Sequence, residues 1–196
     1  MDYYVFEGQQ LPAKEVGAKA LDRLSGLINA AGDKREELRV LVKTAEKERG
    51  KEIKCGFLKR AALDLIFDEL KKKMSEQQKA FQKITDENVH SFFGDIEESV
   101  KAQDAVMAQA DKAMAEINEY LLQRKFRNKH FKSNIYFAKK LIKFFDDSIQ
   151  FFRGQFFALD DEVFHKDGGF YIYEGENFED DEEFEDYQDE EGAEEN

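Results

Sequence analysis

The sequence predicts an all-α protein: a bundle of about five helices with a small two-stranded β-ribbon made from its two ends, followed by a disordered acidic tail. Three observations carry that prediction. The 196 residues include one proline and no tryptophan, a composition that suits long helices better than a loop-rich sandwich. Apolar residues recur at intervals of three and four through most of the chain, the spacing that gathers them on one side of a helix. The segments YYVFEG at Tyr3 to Gly8 and FYIYEG at Phe170 to Gly175 nearly repeat each other, and both are strand-favouring aromatic and β-branched runs closed by Glu-Gly.

The elements follow in order. Tyr3 and Val5 alternate with Tyr4 and Phe6, as Phe170 and Ile172 do with Tyr171 and Tyr173, so residues 3–7 and 170–174 are read as two strands paired with each other and laid over the helices. An isolated pair of strands is only marginally stable, which is why the ribbon needs that support. Two linear motifs for one pocket on a partner are the alternative reading of the repeat. Pro12 suits a helix's first turn, and Val16, Ala20, Leu24, Leu27 and Ala31 continue the stripe until Gly32 interrupts it. Asp33 and Glu36 form a D-x-x-E pattern that can cap a new start, after which Leu38, Leu41 and Ala45 lead to Gly50.

A third run starts near Ile53, with Phe57, Ala61 and Leu65 on one face, weakens through KKKMSEQQK, and resumes at Phe81, Ile84 and Val89 as one helix or two. The fourth carries Ile96, Val100, Met107, Ala110, Met114, Ile117 and Leu121, with polar Gln103 or Asp104 at the missing beat. The fifth, from about Asn128 to about Leu159, has Phe131, Ile135, Ala138, Leu141, Phe145, Ile149, Phe152, Phe156 and Leu159 on one stripe, and Phe137, Phe144 and Phe151 on a second beside it. Two adjacent stripes make a face too wide for one neighbour. It must be covered by two helices of its own bundle, or by one helix and a partner.

The formal charge of −13 is localised. Of the 43 acidic residues, 14 lie between Glu174 and Asn196 with no basic residue among them, which leaves 29 against 30 basic residues in the first 173. Residues 1–175 are thus a nearly neutral helical domain. Residues 176–196 form a tail too acidic to bury a core, expected to be disordered when free. Within it Phe178, Phe184 and Tyr187 stand as apolar anchors in acid, a composition also found in unrelated chaperones of basic proteins, assembly scaffolds and DNA mimics.

Catalytic chemistry finds no foothold. His90, His130 and His165 are scattered and fit no ligand spacing. Asp160, Asp161, Glu162, His165 and Asp167 are dense in donors but not in the order of a calcium loop. Glycine-rich phosphate loops are lacking, and the lone Cys55 has no acid or histidine beside it in sequence. No catalytic residue, metal or cofactor is expected. The free cysteine, together with a start that lacks a secretory pattern, points to the cytoplasm, and no apolar run is long enough to span a membrane.

Two functional expectations remain. The first is a non-enzymatic interaction protein acting in assembly, escort or inhibition. It binds a basic protein partner through Phe178, Phe184 and Tyr187 of the tail and through the wide helix face carrying Phe137, Phe144 and Phe151, and a homo-oligomer is a form open to it. The second rests on the acid-free stretch between Glu119 and Asp146, where Arg124, Lys125, Arg127, Lys129, Lys132, Lys139, Lys140 and Lys143 are interleaved with aromatics. Such a segment can bind a nucleic acid or another polyanion by counterion release, with the tail as its gate, or the tail can itself mimic DNA on a basic surface.

Overall fold

The chain opens with two strands, β1 (Tyr3–Phe6) and β2 (Gln9–Pro12), paired antiparallel with Phe6 opposite Gln9. That register leaves a two-residue turn at Glu7 and Gly8, both at positive φ (51° and 75°), the arrangement whose twist matches that of the flanking strands. Glycine adopts it freely but glutamate does not. Glu7 is held by its surroundings: its carboxylate bonds Arg23 at 2.6 Å and its N–H donates to Glu97 Oε1 at 3.2 Å. The computed structural model describes residues 3–81 and 89–161. Within them the ribbon is this local hairpin, and β1 pairs with the segment that follows it in sequence. The second predicted strand, 170–174, and the tail, 176–196, lie outside the described residues.

Four helices account for the rest: α1 (Ala13–Arg49), α2 (Phe57–Phe81), α3 (Val89–Leu122) and α4 (Lys129–Asp160). The first two predicted runs are a single helix. Gly32 does not end α1, because the apolar stripe keeps phase across it from Ala31 to Leu38, both fully buried. The loss of about 1 kcal/mol for a mid-helix glycine is small beside the burial of that stripe. The stop comes at Gly50, which takes the left-handed conformation at φ 71° while its N–H reaches the carbonyls of Glu46 and Lys47. Gly154 likewise lies inside a continuous α4. Asn128 caps α4 by accepting from the His130 N–H at 2.7 Å.

Side-chain pairings give the directions. Leu27 and Lys34 of α1 meet Gln103 and Asp111 of α3, and Glu48 meets Arg124 just beyond its end, so these helices run the same way. Arg35 and Glu46 meet Asp146 and Lys139 of α4, so α4 opposes α1. Asp64 and Met74 of α2 meet Lys140 and Ser148, so α2 runs with α4. The result is an up-down-up-down bundle in which α4 packs on α1, α2 and α3, whereas α2 has extensive packing with α4 alone.

One core cluster joins Leu38, Val42 and Ala45 to Ile117, Phe131, Ile135 and Phe145. A second, at the hairpin end, gathers Phe6, Val16, Leu24, Ile96, Phe152 and Leu159. The missing beat of α3 is filled by Gln103, which is buried and donates from Nε2 to the Leu27 carbonyl at 2.8 Å.

A Cβ at Gly32 meets open space, so Gly32→Ala should raise stability by about 0.5–1 kcal/mol in urea denaturation. A destabilising result would mean that the helix breaks there.

Candidate interaction surfaces

The second stripe of α4 is covered within the chain. Phe137 meets Phe67 of α2 with ring centroids 5.6 Å apart, Phe144 is half-buried beside the core, and Phe151 is buried in the cluster at the hairpin end. Both stripes therefore face helices of this bundle. Phe178, Phe184 and Tyr187 lie outside the described residues.

The basic segment divides into two groups. Arg124 bonds Glu48 at 2.6 Å, Lys139 bonds Glu46 at 2.8 Å, and Lys140 bonds Asp64 at 2.8 Å. These three cations tie helices together. Lys125, Arg127, Lys129, Lys132 and Lys143 make no ion pair among the described residues. Where α3 ends, Arg124 sits at φ 53° and the Lys125 N–H returns to the Tyr120 carbonyl at 3.0 Å, which reverses the chain toward α4. The turn brings Lys125, Phe126 and Arg127 to the end of α1, where with Arg49, Lys51, Arg124 and Asn128 they line an open depression of about 530 Å³. Arg49 and Lys51 were missed in the sequence because some 75 residues separate them from the segment they join.

The third predicted stripe is reversed. Leu63, Phe67, Leu70 and Met74 turn inward on α2, whereas Phe57, Leu58, Leu65 and Ile66 are 74%, 84%, 71% and 48% exposed. Ala61 and Ala62 are exposed between them. Their spacing of one, four, five, eight and nine residues places all six on one side of the helix, so the outer face of α2 is a continuous apolar strip that no described residue covers. The signal was present in FLKRAALDLIF: α2 has two apolar sides and only one can meet α4. Ile53, expected to share a helix face with Phe57, is buried in the loop before α2.

At the α2–α4 seam, Tyr136 donates its hydroxyl to Asp64 Oδ1 at 2.7 Å beside the Lys140 pair. The Lys140 hydrogen bond holds the Asp64 carboxyl below its ordinary range, against desolvation and with help from Tyr136. Burial disfavours the Lys140 charge, but its bonds to Asp64 and Tyr136 outweigh that and raise its pKa.

Among the described residues no group of histidine, cysteine and carboxylates is placed to hold a metal, and no helix is long and apolar enough to cross a membrane. Cys55 is buried and free. Comparison with known proteins gives no match to a family model, to a curated protein or to a solved structure.

A double-mutant cycle of Asp64→Asn and Lys140→Met should return a coupling of about 0.2–1 kcal/mol near neutral pH, the range of a partly exposed pair. Because the folded Asp64 has the lower pKa, this contribution is present above the unfolded value of about 3.9 and is lost as pH falls through the folded one. Denaturation at pH 7 and below pH 3 tests it.

Proposed function

We propose that this chain is a non-enzymatic interaction protein with an assembly, escort or inhibitory role, which docks protein through the outer face of α2 and engages a basic partner with its acidic aromatic tail. The observation that carries the reading is the uncovered strip from Phe57 to Ile66. At about 1.5–3 kcal/mol for each large apolar side chain fully covered, the four in the strip, which are about two-thirds exposed on average, supply roughly 4–8 kcal/mol before the cost of association, itself at least about 4 kcal/mol. The strip alone therefore binds weakly, and a second contact is needed for capture. The tail supplies it: 13 carboxylates from Glu176 onward attract lysines and arginines, and Phe178, Phe184 and Tyr187 fill apolar dimples between them.

The segment 170–174 belongs to the same proposal as a strand added to β1. Asp161, from which it departs, lies at the hairpin end of the bundle, where Leu159 shares a core cluster with Phe6. We place the protein in a reducing compartment, the cytoplasm, on the unpaired Cys55.

Benzophenone crosslinkers at positions 58 and 184, with position 43 on an exposed stretch of α1 as the control, test the main reading. Position 58 is expected to crosslink to protein and position 184 to a basic polypeptide. Reaction at both no greater than at position 43 would overturn it.

A second reading is favoured by the depression at the end of the bundle, where Lys51, Lys125 and Arg127 are exposed and Arg49 is partly buried, none of them with an ion pair among the described residues. There the tail competes with DNA or RNA for the cations. This reading expects residues 1–175 to bind oligonucleotides with a steep salt dependence and the full chain not to bind. If neither form binds, the interaction reading stands alone.

A further inference from the structure

Along the outer face of α2 the exposed residues run large, large, small, small, large, large: Phe57 and Leu58, Ala61 and Ala62, Leu65 and Ile66. The order is the same from either end. We infer that the face is occupied by a second copy of this chain, with the two α2 helices antiparallel about a twofold axis passing between Ala61 and Ala62. The inference rests on reading the strip as an interaction surface, and it names the occupant.

A twofold interface is self-complementary, each patch meeting its own copy. With the axis at that point, Phe57 lies opposite Ile66 of the second copy and Leu58 opposite Leu65. The alanines fall at the crossing, where small side chains let the helix axes approach most closely, while the larger side chains close over the two ends. Shift the axis by one turn toward either end and the match is lost, because large side chains then meet at the crossing and the alanines fall outside it on both sides.

Charge selects the same direction. Lys59 stands in the first turn of α2, and Asp68 and Glu69 lie just beyond Ile66, with Lys71 and Lys72 following; all five are exposed and without an ion pair among the described residues. An antiparallel pair brings each copy's Lys59 toward the other's Asp68 and Glu69. A parallel pair sets like beside like and also aligns the helix dipoles unfavourably. The strip spans only about 14 Å of helix at 1.5 Å per residue, which is short for a permanent interface. The dimer is therefore a reversible one, populated in the micromolar range, and it carries two acidic tails that engage a basic partner together.

The test uses the full chain. Sedimentation equilibrium over micromolar to millimolar concentration should show monomer passing to dimer, and Leu65→Glu should weaken the association at least tenfold while leaving the circular dichroism melt unchanged, because Leu65 is exposed. In a Cys55→Ser background, Ala62→Cys sits near the axis and should form an intermolecular disulfide on mild oxidation. Phe57→Cys should not, since its counterpart lies about nine residues, or ~14 Å, along the helix. A chain that stays monomeric with no Ala62→Cys disulfide overturns the dimer. So does a chain in which only residues 1–175 dimerise, because the tail then holds the face. The interaction reading survives either result if position 58 or position 184 still crosslinks to another protein, and fails with the dimer if neither reacts above the control at position 43.

Discussion

The width of the apolar face on α4 is the constraint to which the rest of the bundle conforms. Phe131, Ile135, Ala138, Leu141 and Phe145 are fully buried on one side of the helix, and Phe151 and Phe152 continue the burial toward the hairpin. A face this wide cannot be satisfied by one neighbour. It takes α1 and α3 against its main stripe and α2 against the edge carrying Phe137 and Ser148. The pairs of Asp146 with Arg35 and of Asn134 with Glu116 lie at the rims of these contacts. They set register more than stability, as partly exposed polar pairs do.

That arrangement explains why α2 differs from the other helices. It fills a remaining sector of α4 and no second helix among the described residues covers it, so the side carrying Phe57 to Ile66 stays uncovered by them. Phe67, Leu70 and Met74 are spent on the bundle, and Phe57, Leu58, Leu65 and Ile66 are not. An exposed strip of this kind is a liability in a purely structural helix. The proposed second copy of the chain answers that liability by covering the strip.

The charges sort by position in the same way. Cations midway along α4 are neutralised by carboxylates of α1 and α2, because helices packed side by side bring opposite charges within reach. Those at the α3–α4 turn have few neighbours, and the end of α1 adds Arg49 and Lys51 to them. A body of near-zero net charge therefore carries a local positive end, while the −14 of the C-terminal residues sits in a separate stretch of chain.

The sequence by itself determined the helical class, the extent of α4, the stop at Gly50, the gathering of acidic charge in the C-terminal residues and the alternation of Val5 with Phe6. Each is a local property, written in spacing, capping residues or net charge within a dozen or so positions. Tertiary structure decided whatever required a comparison between distant segments. Gly32 reads as a break until the stripe on either side is seen packed on a single neighbour. Glu7-Gly8 reads as the end of a strand until Gln9 to Pro12 folds back on β1, since glutamate is an unusual residue for such a turn and needs Arg23 and Glu97 to hold it. The two sides of α2 are equally apolar in sequence, and only the position of α4 decides which is core and which is surface. The physical reason is the same in each case: local pattern specifies what a segment can form, and burial against another segment selects among the possibilities.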